Sequence, residues 1–124
     1  MDVLRTLIDA VRPGGIVLDL QVIRPQPVVE VDGRVVCTID GGALFRTADP
    51  AVAAIDAAVR DGLLVDQAVD DHDVLKHYPS GRDLIADFEG KQRRLPEDAL
   101  PELGEHDGPC VVREYCRLRR LAVR

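Results

Sequence analysis

The sequence predicts an α/β fold, a single-layer mixed sheet with packed helices and an added β-hairpin, in one domain of 124 residues. Three observations predict it. An apolar stripe at Val3, Leu4, Leu7, Ile8 and Val11 has helical spacing, breaks at Pro13-Gly14-Gly15, and gives way at once to the β-branched run Ile16–Ile23. Two further β-branched runs flank Asp32-Gly33, a pairing that suits the positive φ angles of a two-residue primed turn. Beyond them, helix and strand patterns alternate up to a long run from Cys110 to Val123.

The first helix is expected over Asp2 to Val11. Pro13 ends it, because proline disfavours helical geometry at Arg12 and cannot donate into the ladder. Gly14 and Gly15 can supply the positive φ of a C-cap and a tight reversal. Ile16–Ile23 then reads as a buried strand in which only Asp19 and Gln21 are polar. Arg24-Pro25-Gln26-Pro27 breaks the ladder. Val28–Val31 and Arg34–Ile39 form the hairpin, which Asp40-Gly41-Gly42 closes.

Asp49-Pro50 signals the start of the next helix, with Asp49 as N-cap, Pro50 at the first helical position and Gly62 as C-cap. Val52, Ile55 and Val59 share its apolar face. A strand is expected at Leu63–Val69. Ser80-Gly81-Arg82-Asp83 has capping-box spacing, with Asp in place of the usual Glu, and starts a helix carrying Leu84, Ile85 and Phe88. Lys91 to Gly108 reads as a polar loop with one short helix at Glu97 to Leu103, and Cys110–Val123 as the terminal strand.

Composition narrows the function classes. A net charge of −6 argues against non-specific nucleic-acid binding, and two Phe and two Tyr offer no stacking platform for single strands. No apolar run reaches membrane-spanning length, and the N-terminus lacks the basic-then-apolar pattern of a signal peptide. The expectation is a cytoplasmic protein with no membrane or nucleic-acid partner. Cys37, Cys110 and Cys116 lack paired metal spacing and read as reduced core thiols.

The densest polar cluster is Asp70-Asp71-His72-Asp73-Val74-Leu75-Lys76-His77-Tyr78. Carboxylates beside imidazoles suit a metal or general acid–base site, and His72 is its candidate catalytic residue. The five-residue step from His72 to His77 is not helical ligand spacing, so no metal is expected. The structural alternative is a solvated strand exit. Arg113, Arg117, Arg119 and Arg120 read as the shield on the outer face of the last strand, with anion binding by Arg117 and Arg119 as the alternative. No nucleophile elbow, phosphate loop, His-Glu-x-x-His or Cys-x-x-Cys occurs.

Leu7-Ile8-Asp9-Ala10-Val11-Arg12-Pro13-Gly14-Gly15-Ile16-Val17-Leu18 resembles the segment before and within the fifth strand of class I S-adenosylmethionine-dependent methyltransferases. The later order of helix, strand, helix and long terminal strand is similar to that family's C-terminal half. The resemblance implies a Rossmann-like half-domain. The family's cofactor lies on a glycine-rich turn after its first strand, in the half this chain begins after, so no cofactor-binding residue is carried over. It also implies that Asp19 and Gln21, at the end of the matching strand, face the substrate region, and they join His72 as catalytic candidates. The expected function is a methyltransferase-like half-domain acting as a binding or assembly module without activity alone. The alternatives are a transferase whose S-adenosylmethionine-binding half comes from another chain, and an unrelated small α/β ligand-binding protein. A strand that loses one neighbour exposes a sticky edge, so a homodimer is expected, with capping of that edge by the hairpin Val28–Ile39 within the chain as the alternative.

Overall fold

The computed structural model describes residues 3–91 and 93–124. Their element order is α1 (Val3–Ala10), β1 (Ile16–Val22), β2 (Val28–Val31), β3 (Arg34–Thr38), α2 (Gly42–Arg60), β4 (Leu64–Tyr78), α3 (Gly81–Phe88), a 3-10 turn at Glu97–Ala99, α4 (Leu100–Glu105) and β5 (Cys110–Val123). The helix start expected at Asp2, and Gln92 of the expected loop, lie outside the described residues. The strands form one open sheet in the order β1, β5, β2, β3, with β4 also paired to β5.

That sheet is antiparallel, where the sequence reading expects a mixed one. Parallel neighbours need a crossover between them. Here the α2 crossover delivers β4 to β5 instead of to β1, and β5 runs back against both β1 and β2.

Two compact units divide the chain. One is built from the stretch through Val22 together with Arg46–His72 and Cys116–Arg124; the other is Ile23–Phe45 with Asp73–Tyr115. In the first unit, Val17, Ile55, Ala58, Leu64, Leu121 and Val123 make the core, with Leu4, Ile8, Val11 and Val59 packed against it. Gly14 takes φ 81° and its N–H meets the Val123 carbonyl at 2.8 Å, so the Pro-Gly-Gly turn feeds β1 straight into register with β5. Gly62, at φ 78°, closes α2. Its N–H donates to the Val59 carbonyl while the N–H of Leu63 donates to Ala58, the paired bonds of a Schellman cap.

In the second unit, Val29, Ile39, Leu84, Leu103, Cys110 and Val112 lead the core. Asp32 (φ 52°) and Gly33 (φ 73°) form the expected primed turn between β2 and β3. Ser80 Oγ accepts from the Asp83 N–H at 3.2 Å and donates to its carboxylate at 2.8 Å, which caps α3. Cys37 is half-buried, Cys110 and Cys116 are buried, and all three are reduced thiols outside any disulfide.

Three expectations need correction. Helix α2 begins at Gly42 and carries Pro50 inside it, not at its start. Asp40 Oδ1 accepts from Gly42 N–H at 2.9 Å and Gln26 Oε1 from Gly41 N–H at 2.8 Å. Capping at that earlier turn lets the helix run through the bond that Pro50 cannot make. Strand β4 continues to Tyr78, so Asp70–Tyr78 is strand interior and not a strand exit. Its acidic residues find cross-strand arginines: Arg117 binds Asp71 in the first unit and Arg113 binds Asp73 in the second. Finally, Ile16–Ile23 is not a buried strand. Only Val17 is fully buried, and Leu18 and Leu20 are 65% and 61% exposed, because β1 has a neighbour on one edge and helices over one face.

Burial along β5 explains the arginine pattern. Even-numbered residues are buried from Cys110 to Cys116, and Arg119, Leu121 and Val123 are buried after them. Each unit's core therefore takes its own parity. Arg119, expected on the outer face, lands on the inner one.

Candidate functional site

Asp19 and Gln21 meet in the first unit, on β1. The strict alternation Leu18-Asp19-Leu20-Gln21 puts both polar side chains on the face that carries Val17, where α1 and α2 pack. Gln21 Nε2 donates to Asp19 Oδ1 at 2.8 Å. Asp19 stands opposite Arg119 of β5, and Gln21 opposite Arg117.

These two residues line an apolar groove of about 360 Å³. Val3, Leu4 and Leu7 of α1 form one wall, Pro50, Ala51, Ala54 and Ile55 of α2 the other, and Val17 and Leu18 complete it. Only part of the α1 stripe is used for the core. Leu4, Ile8 and Val11 pack inward, whereas Val3 and Leu7 are left 78% and 45% exposed at the groove. Ala51 and Ala54, with their short side chains, keep the groove open on the α2 side.

Asp19 is the one ionisable group among the residues that line the groove, and no His, Cys or Ser is among them. Such a lining can orient a donor group against a carboxylate. Its one ionisable group is the Asp19 carboxylate, set among apolar walls that suit a bound ligand.

The neighbouring charges are committed to one another. Arg119 is buried, and it reaches Asp56 of α2 at 2.6 Å and Asp66 of β4 at 2.9 Å. Burial opposes its charge, and the hydrogen bonds to Asp56 and Asp66 outweigh burial and raise its pKa. Arg117 holds Asp71 through two bonds, at 2.7 and 3.0 Å, and this hydrogen bonding keeps the Asp71 carboxyl below its usual range. The two arginines considered for anion binding are thus already engaged by carboxylates.

His72 is not among the residues lining the groove. It lies on β4, half-buried, with Nδ1 3.2 Å from the Asp70 carboxylate. Among the described residues, no group of three or more His, Cys, Asp or Glu side chains is arranged to hold a metal ion. The structure thus brings two of the three candidates together and leaves the third apart. Sequence reasoning missed the helix residues of the groove and the Asp56–Arg119–Asp66 cluster. The phase of Arg119 gave no signal of the cluster, since it shares the odd-numbered series of Arg113 and Arg117.

No helix among the described residues is long and apolar enough to cross a membrane. In comparisons with known proteins, no family model, curated protein or solved structure matches the chain.

Proposed function

We propose that this chain is a binding and assembly module without catalytic activity of its own, and that it works as a homodimer. The observation that carries the reading is the outer side of β1. A seven-residue strand shows Leu18 and Leu20 to solvent and, among the described strands, pairs on one edge only. Proteins guard such edges with charge, proline or a bulge, and β1 has no proline, no lysine and an unbroken register. An apolar strand edge left open in this way is a pairing surface.

Light scattering across a dilution series in the micromolar range tests the reading. The expected result is twice the chain mass, falling toward one chain mass on dilution. A constant single-chain mass would refute it.

The groove favours a second reading, a small-ligand binder. Its volume falls in the range of ligand sites, and its apolar walls converge on one carboxylate and one amide. An apolar molecule bearing an amine or hydroxyl donor is the class that fits. A melting shift with such compounds, lost in Asp19→Ala, would support this reading, and a flat response across the class would count against it. The methyltransferase resemblance adds a third proposal, a transferase completed by another chain. That proposal requires S-adenosylmethionine to bind only when the other chain is present.

A further inference from the structure

We propose that β1 pairs antiparallel with β1 of a second copy of this chain, about a twofold axis at Leu20, so that each Asp19 accepts from Gln21 of the other copy. This rests on the assembly reading above and specifies its contact.

The backbone dictates which residues face the open edge. Val123 N–H donates to the carbonyl of Gly15, the residue directly across when the Ile16–Val22 register is extended by one step. Directly opposed residues that share a bond recur at every second position of an antiparallel ladder. The N–H and C=O groups of Val17, Asp19 and Gln21 therefore point to β5. Those of Ile16, Leu18, Leu20 and Val22 point away from it, to an edge with no partner among the described strands. Such a row is a template on which another strand can pair.

Side chains then select both the partner and the register. In antiparallel self-pairing, even positions must oppose even ones. An axis at Asp19 sets two carboxylates face to face, which is unfavourable. An axis at Leu18 sets Asp19 against Val17 and Gln21 against Gly15, leaving polar groups opposite apolar ones. An axis at Leu20 places Leu18 against Val22, Leu20 against its own copy, and Asp19 against Gln21. Apolar thus meets apolar, and acceptor meets donor. The Asp19–Gln21 pairs occupy the non-hydrogen-bonded positions, where side chains approach more closely. Within one chain the Gln21 amide already bonds Asp19 at 2.8 Å; its second N–H and the other lone pairs of Asp19 remain for the second copy. On the other face, Leu20 backs onto Leu118 of β5, so the contact buries a continuous apolar row. The strand is self-complementary, as a twofold contact requires.

The test combines cross-linking with a charge exchange, in a Cys37→Ser background. Leu18 and Leu20 are exposed, so cysteine at either position should leave the fold intact. Under mild oxidation, Leu20→Cys should form a disulfide-linked dimer. Leu18→Cys should not, since its copy would lie roughly 14 Å away along the strands, beyond disulfide reach. Leu18→Cys mixed with Val22→Cys should cross-link. In the absence of cross-links, Gln21→Glu should weaken the dimer by about tenfold or more, by setting a second carboxylate against Asp19. Adding Asp19→Asn to that variant should restore the affinity. Because Gln21→Glu also removes the bond from Gln21 to Asp19 within its own chain, melts of the dilute monomer are compared beside the affinities; a loss of affinity that only follows a loss of monomer stability would count against the contact.

Cross-linking at Leu18→Cys alone would overturn the register. A dimer that resists all these cross-links would overturn β1 pairing while leaving assembly standing. A monomer by light scattering would overturn the assembly reading itself, and one that gains mass only with a different chain would assign the edge to that chain.

Discussion

Gly81→Ala should destabilise the protein although alanine is the better helix former. Gly81 opens α3 directly beneath α4 and is buried. A Cβ built there lies 2.7 Å from the Leu103 carbonyl carbon and closer still to its oxygen, against an ordinary contact limit of 3.4 Å. The obstacle is backbone and cannot rotate away. Helix α4 would have to recede by upwards of about 0.7 Å, carrying Leu103 out of the core it fills completely. The bond from Gly81 N–H to the His106 carbonyl, 3.0 Å long, would stretch with it. Overpacking of this kind costs about 1–3 kcal/mol and a strained hydrogen bond about 1 kcal/mol more, against a helix-propensity gain of at most about 1 kcal/mol. The net loss should be about 2 kcal/mol, which lowers Tm by roughly 8 °C in a chain of this size. Gly104→Ala supplies the contrast. Its Cβ would meet only Ile85 Cδ1, at 4.0 Å, so that variant should be neutral or up to about 1 kcal/mol more stable. Thermal melts followed by circular dichroism compare the two. An unchanged or raised Tm for Gly81→Ala would refute the packing described between α3 and α4.

Three further outcomes are expected. Gly33→Val should cost about 1 kcal/mol or more, because φ 73° is hostile to a β-branched residue; an unchanged melt would contradict the primed turn. Acid should destabilise the fold. Asp87 is held well below the carboxylate range by hydrogen bonds from Lys76, Lys91 and Tyr78, as Asp71 is by Arg117 and Glu30 by Arg113. Their folded pKa values lie below the unfolded ones of about 4, so this stability is full above about pH 5 and is lost as pH falls through the unfolded and then the folded values. Tm should drop between about pH 5 and pH 3, less steeply in Asp87→Asn, and a flat profile would refute the linkage. The chain alone should not bind S-adenosylmethionine, having no glycine-rich turn and no ribose-binding acid. A low-micromolar dissociation constant by calorimetry would overturn that.

What could be read from the sequence was local. Asp32-Gly33, Gly62 and the Ser80–Asp83 cap each act through bonds to residues a few positions away, and each lies where the sequence places it. What could not be read depends on distant partners. The acidic half of β4 has poor strand propensity, and its partners Arg117 and Arg113 lie 46 and 40 positions along the chain. The local start signal at Asp49-Pro50 lost to a cap that Gln26 supplies to Gly41 from 15 positions back. In the candidate site, Asp19 and Gln21 stood out as the polar positions of an apolar strand. Periodicity could not show that β1 is half-open, nor that α1 and α2 wall a groove beside it, because both follow from which strand β5 takes as its neighbour.

Residue-resolved amide exchange at two protein concentrations tests most directly the claim that copies meet at the open edge of β1. In a lone chain the amides of Val17, Asp19 and Gln21 are bonded to β5 and protected, while those of Leu18, Leu20 and Val22 face solvent. At high concentration the account predicts protection of all six. On dilution below the dissociation constant, Leu18, Leu20 and Val22 should become fast while the other three stay slow. An alternating pattern that persists unchanged at every concentration would contradict it.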